Sequence, residues 1–202
     1  MSSLGSEEKR LLLDVARRAL IAAAEGRESF DEPPQIDSAN QVAGAFVTLQ
    51  LRNRLRGCIG QILSDQPLIR VVAHCARAAA LEDARFAPVR PQEVAGIEIE
   101  ISVLSPLIDI APERIEVGKH GLVVSRGWQR GVLLPQVAPE LHLSALRFLE
   151  ETCVKAGLDR DAWKDEETKI QAFTAEIFRE SEFASGAGRV PAGTTPGYSS
   201  ST

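Results

Sequence analysis

Ile97-Glu98-Ile99-Glu100-Ile101-Ser102-Val103 alternates without a break between β-branched apolar and polar side chains. Successive side chains of a strand point to opposite faces. Ile97, Ile99, Ile101 and Val103 therefore share one face, and Glu98, Glu100 and Ser102 share the other. This is the clearest strand in the chain, and Ser105-Pro106 ends it.

Upstream, Ala45-Phe46-Val47-Thr48-Leu49 reads as a second strand, Arg52-Asn53 as a turn and residues 55–59 as a third strand. Together they predict a hairpin that ends in Gly57-Cys58-Ile59-Gly60. Leu11, Leu12, Val15, Ala19 and Ala22 recur at helical spacing after Ser6, which suits an N-cap, and Gly26 suits a stop. Leu68, Val71, Val72, Cys75 and Ala79 predict another helix, capped by Asp65 with Pro67 near its first turn. Residues 28–40, with Pro33-Pro34, read as a loop.

Downstream, Ile115-Glu116-Val117 and Leu122-Val123-Val124 read as short strands around Gly118-Lys119-His120-Gly121. Arg126-Gly127-Trp128-Gln129-Arg130-Gly131 reads as a hairpin loop into Val132-Leu133-Leu134. Ser144 can cap a helix carrying Leu146, Leu149, Cys153 and Ala156, and Gly157 stops it. Phe173, Ala175 and Ile177 alternate in a final strand, and Ser, Gly, Thr and Pro dominate from about residue 181. The expected fold is α/β of the α+β type: a mixed, mainly antiparallel sheet covered by helices. Residues 1–180 form the expected domain and 181–202 a disordered tail.

At 202 residues the chain is long enough to bury a real core. Its net charge of −5 disfavours broad binding to nucleic acid, which needs a basic excess, and binding to anionic membranes. The three cysteines, Cys58, Cys75 and Cys153, are odd in number and show no zinc-site spacing. They read as reduced thiols, with no metal site. The polar, acidic first ten residues do not resemble a signal peptide, and no apolar run reaches the roughly 20 residues of a membrane span. The expected address is the cytoplasm.

Cys58 lies in Arg56-Gly57-Cys58-Ile59-Gly60. Small neighbours let a ligand approach the backbone, and a cation beside a thiol lowers its pKa and makes it reactive. Arg56 is the cation expected to do so. The plain alternative is that Cys58 is a small buried hydrophobe at a strand end. His120 lies between Lys119 and Gly121 and is a candidate general base, and pairing with Cys58 would make an activated nucleophile. A histidine in a turn is, however, more often structural. Glu98 and Glu100 share a face, which serves acid/base chemistry or merely a solvated strand. Asp83 and Arg85 can pair across their turn, and Gln136 can orient a ligand or satisfy a buried backbone group. Arg52, Arg54 and Arg56 alternate, as a phosphate grip or a solvated edge would.

Several segments occur in one order: Leu55-Arg56-Gly57-Cys58-Ile59-Gly60, Asp83-Ala84-Arg85-Phe86-Ala87-Pro88-Val89, the strand quoted first with Leu104-Ser105-Pro106, Val117-Gly118-Lys119-His120-Gly121-Leu122, and Leu133-Leu134-Pro135-Gln136-Val137-Ala138. Phe148-Leu149-Glu150, Cys153-Val154-Lys155-Ala156-Gly157-Leu158 and Ala162-Trp163-Lys164 follow. The ordered set resembles the AMMECR domain family, known in bacteria as AmmeMemoRadiSam system protein A. The resemblance implies a smaller second lobe, a cleft lined by the Arg56–Gly60 motif, and a Memo-like protein and a radical S-adenosylmethionine protein as functional partners. It supplies no established reaction and leaves any cofactor unknown.

Carried over position by position, it points to Arg56, Gly57, Cys58, Gly60, Asp83, Arg85, Glu100, Lys119, His120 and Gln136. The chain departs from the family pattern at Ala84, where proline is frequent, and around His142, where a tryptophan-containing segment is common. The leading expectation is a cysteine-dependent enzyme acting on a small or partner-bound substrate. Cys58 would be the nucleophile or a ligand-contacting thiol, His120 the base, Glu100 its orienter or a second acid/base group, and Arg56 a ligand-binding residue that stabilises an anion or the thiolate. Gly57, Gly60, Asp83, Arg85, Lys119 and Gln136 would bind the ligand. The rival is a non-catalytic adaptor that holds a protein partner in the same cleft.

Overall fold

β1 (Ala45–Leu51) turns through Arg52 and Asn53 into β2 (Arg54–Gln61). Both turn residues have positive φ, 54° and 60°, the backbone twist that a two-residue hairpin loop needs. β3 (Ile97–Leu104) pairs with the other edge of β1, and β8 (Ala175–Arg179) with β3, giving an antiparallel sheet of order β2-β1-β3-β8. In this computed structural model, residues 4–27 and 42–183 are described. The predicted loop at 28–40 lies outside them, as do residues 184–202.

Cross-strand register sorts the side chains of this sheet. Val47, Ile59, Ile101 and Phe178 form one row, packed under α1 (Ser6–Ala24) and α2 (Leu68–Leu81). Val47 and Ile101, both fully buried, each stabilise the fold by about 2 kcal/mol. α1 starts where expected, but the residue before it, Gly5, occupies the cap position and donates its N–H to Glu8 Oε2 at 2.6 Å. α2 starts after Pro67, with no cap from Asp65.

The smaller lobe is a second antiparallel sheet, of order β4-β7-β5-β6. Its strands are β4 (Ile108–Asp109), β5 (Gly121–Arg126), β6 (Gln129–Leu133) and β7 (Lys169–Phe173). Phe148, Leu149 and Cys153 of α5 (Ala145–Lys155) pack on Leu122, Val124 and Ala172. As read from the sequence, Ser144 caps α5, accepting from Arg147 N–H at 3.3 Å, and Gly157 follows it with φ +74°. Two short helices, α3 (Pro91–Val94) and α4 (Val137–Glu140), complete the set.

The chain crosses between the lobes at 105–107 and again at Thr174. The crossings are tied together: Ser105 N–H donates to Thr174 O and Thr174 N–H to Ser105 Oγ, both at 2.9 Å. Leu104, Val123 and Phe173 form a third core cluster, with Phe46 and Ile62 packed against it.

The α/β fold with antiparallel pairing is as expected, but the strands divide into two sheets. The alternation of Phe173, Ala175 and Ile177 is one extended run shared by two strands, β7 and β8, of different sheets. An extended chain keeps period two while changing partners, so sequence periodicity could not reveal the crossing. Residues 115–117 are not a strand. Ile115 closes a 3-10 turn at Pro112–Arg114, and the chain turns back through Gly118 at φ +81°. Phe183, the last described residue, is partly buried against the large core. Among the described residues, no helix is long and apolar enough to cross a membrane.

Candidate functional site

On the face of the large sheet turned away from α1 and α2, register places Cys58, Thr48, Glu100 and Arg179 in one row across four strands. The smaller lobe covers this face with Leu134, Gln136, Val137 and Glu140. Between them lies a cleft of about 480 Å³. Leu55 and Ile177 supply apolar wall, and Arg85 reaches in from the 83–88 turn.

The Cys58 sulfur accepts a hydrogen bond from Thr48 Oγ1 at 3.3 Å, and its backbone N–H donates to Asp83 Oδ2 at 2.8 Å. Asp83 is buried and holds Arg85 at both oxygens, accepting from Nε at 2.9 Å and Nη2 at 2.7 Å. The Arg85 guanidinium holds the Asp83 carboxyl far below the usual carboxylate range, and the Cys58 N–H adds to the effect. Asp83 is thus a bracket that fixes both the Cys58 backbone and the Arg85 cation. Glu100 is buried, with its side chain 9% exposed, and pairs with Arg179 Nε.

The resting thiol is not the activated one anticipated. Burial pushes the Cys58 thiol up, and the Thr48 hydrogen bond and the Arg85 charge only partly oppose this. Cys58 is half-buried and opens to the cleft, whereas Cys75 and Cys153 are fully buried. Burial drives Cys75 to about 11.

Arg56 does not serve the thiol. Its Nε donates to Glu93 Oε1 at 2.8 Å and its Nη2 to Glu93 Oε2 at 3.2 Å. Arg56 and the Arg90 N–H hold Glu93 down to about 2. A strand-edge arginine found its carboxylate on α3, 37 residues on, and so clamps the loop that carries Asp83. The glycines are occupied as well. A Cβ on Gly57 would lie 2.1 Å from the Ala79 carbonyl oxygen, and one on Gly60 2.2 Å from the Phe46 ring. They admit helix α2 and an aromatic ring, not a ligand.

His120 and Lys119 are not in this cleft. They line a second cavity, with Arg114, Ser105 and Phe173. The Cys58–His120 pair is therefore not formed. His120 Nδ1 accepts instead from Glu116 N–H at 3.1 Å, and Lys119 Nζ donates to Glu116 Oε1 at 2.8 Å. Gln136 does reach the Cys58 cleft, and its Oε1 is buried without a partner among the described residues. Sequence reading missed Thr48 and Arg179. Thr48 was open to detection, since it alternates with Val47 and Leu49 as Glu100 does with its neighbours. Arg179 carried no signal.

Comparison with known proteins follows the same boundaries. The AMMECR1 family model matches residues 13–178. A protein of Methanothermobacter thermautotrophicus is 42% identical over 185 residues, covering 88% of this chain and 96% of its own. A Pyrococcus furiosus protein is 43% identical over 195 residues, covering 89% of this chain and 91% of its own. The crystal structure of an uncharacterized protein from Pyrococcus horikoshii superposes with a TM-score of 0.80 at 39% identity, covering 88% of this chain and 93% of that one. The chain belongs to the AMMECR1 family.

Proposed function

We propose that this AMMECR1-family chain is a cysteine-dependent enzyme whose substrate, a small or partner-borne polar molecule, enters the cleft between the two sheets. The observation that carries the reading is the row Cys58–Thr48–Glu100–Arg179, facing a cavity that a second lobe closes. Polar side chains on a sheet face are cheap in water. Here Thr48 partners the Cys58 sulfur and Arg179 partners Glu100, so the row is kept polar and ordered beneath the lobe that closes the cleft.

Cys58 is the nucleophile or the contacting thiol. Arg85 and Arg179, with side chains 57% and 48% exposed, offer charge to an acidic substrate group. The unpartnered Gln136 Oε1 accepts a substrate N–H or O–H. Because the thiol is protonated at rest, substrate binding must help to ionise it. Glu100, the buried carboxylate lining the cleft, lies two strands away and is held by Arg179. We assign it as a second acid/base group acting on the substrate, not as the acceptor of the thiol proton, since Thr48 between them donates to the sulfur. His120 and Lys119 have no part in this step.

The test is alkylation by iodoacetamide at neutral pH, followed by peptide mass spectrometry. Cys58 should label first, with Cys75 and Cys153 protected until unfolding. Equal, slow labelling of all three removes the enzyme reading.

The raised thiol favours one second reading, in which the cleft seats a partner's side chain and Cys58 is a contact. The family resemblance makes a Memo-like protein and a radical S-adenosylmethionine protein the partners to try. A pull-down with Cys58→Ala separates the two. Partner capture lost in a folded variant supports the adaptor, and capture kept supports the enzyme.

A further inference from the structure

The turn that carries His120 holds it as a site would. His120 is only 8% exposed, yet its ring lines a cavity of about 400 Å³ at the two crossings between the lobes. Glu116 N–H donates to Nδ1 at 3.1 Å, and His120 N–H donates back to Glu116 O at 3.0 Å. This reciprocal clasp fixes the ring plane. A nitrogen that accepts cannot carry the proton, so the ring N–H is on Nε2. Nε2 has no hydrogen-bond partner among the described residues. The residue is buried but its ring lines the cavity, so an oriented donor is presented there to whatever acceptor enters.

The charges around the cavity narrow the acceptor. Glu116 is neutralised by Lys119 at 2.8 Å. Asp109 is held by Lys169 at 3.3 Å and accepts from Gln171 Nε2 at 3.0 Å. Arg114 also lines the cavity and makes no side-chain hydrogen bond or ion pair among the described residues. Arg114 thus brings a guanidinium with no direct partner, although its charge also acts on Glu116, beside one oriented N–H. Pro106, Ile108, Ile110 and Phe173 make the remaining wall largely apolar.

We propose that this cavity is a second ligand site, for a small molecule carrying an oxyanion, a carboxylate or a phosphate, on an apolar body. His120 Nε2–H and Arg114 grip the oxyanion, and Phe173 and its neighbours cover the body. The site goes beyond the Cys58 reading. It uses a motif, Gly118-Lys119-His120-Gly121, that the Cys58 cleft leaves unused.

The experiment follows the histidine ring nitrogens of the ¹⁵N-labelled full chain by long-range ¹H–¹⁵N NMR. The probes are benzoate, phenyl phosphate and the uncharged benzyl alcohol. At least one oxyanion should move the His120 Nε2 resonance saturably, leaving His74 and His142 in place, while benzyl alcohol does not. Whichever oxyanion binds more tightly identifies the source. Arg114→Gln, on an exposed side chain, should weaken binding by about tenfold. No shift with either oxyanion, an equal shift with benzyl alcohol, or unchanged binding in Arg114→Gln overturns the proposal. Cys58→Ser should give the same titration, so this site stands or falls independently of the enzyme reading.

Discussion

The two clefts contrast in how they are built. The Cys58 cleft is assembled across a sheet, from four strands spanning Thr48 to Arg179, and closed by a second lobe. At the His120 cavity, the ring is oriented by a local turn, in which Glu116 and His120 exchange two hydrogen bonds. A site made by register depends on the packing of whole elements. A ring oriented by a turn depends on a few backbone dihedrals. Substitutions should therefore be felt globally at the first and locally at the second.

The largest test of that contrast is a pair of glycine substitutions. Gly57→Ala sets a Cβ against the backbone of α2, 2.1 Å from the Ala79 carbonyl oxygen, which no rotamer change relieves. It should cost about 3 kcal/mol in urea unfolding. Gly118→Ala meets only Pro139 Cγ at 3.3 Å, but must hold φ +81°. It should cost about 1 kcal/mol and loosen the His120 ring, visible as averaging of its NMR signals. Equal costs would erase the distinction drawn here.

Acid unfolding is the next test. Glu93 is lowered from 4.5 to about 2 in the folded chain by Arg56 and the Arg90 N–H, so its clamp stabilises the fold fully above about pH 4.5. That contribution is lost as pH falls toward 2. Asp83, lowered by Arg85, adds loss in the same direction. Glu93→Gln should be less stable at neutral pH and should lose less stability between pH 5 and about 2. An acid limb identical to that of the wild type would mean that Arg56 does not anchor the loop.

The smallest effect is kinetic. The Arg85 charge lowers the Cys58 thiol against the stronger effect of burial. Arg85→Ala should slow Cys58 alkylation a few-fold at neutral pH and move its pH profile upward. No change in the labelling rate would separate Arg85 from the thiol.

Much of this was legible in the sequence. The alternation in 97–103, the Arg52-Asn53 turn, the Ser144 cap and the Gly157 stop are encoded within a few residues, and each appears where local chemistry puts it. The candidate site was legible in part. Cys58, Glu100, Arg85 and Gln136 do line one cleft, and Asp83 positions two of them. Arg56 was misread, because nothing near it in sequence announces Glu93. Cys58 and His120 were paired on residue type alone, and types say nothing about which side of a lobe crossing a turn will face.

The sequence by itself determined the local elements and which side chains share a strand face, since backbone periodicity and capping act over a few residues. Only the tertiary structure decided that the polar face of β3 would be covered, with Glu100 and Ser102 buried rather than solvated. It also decided that the thiol and the imidazole would occupy separate cavities. The reason is physical: period two is blind to whether water or another lobe lies against a face, and that choice is made by contacts between residues a hundred positions apart.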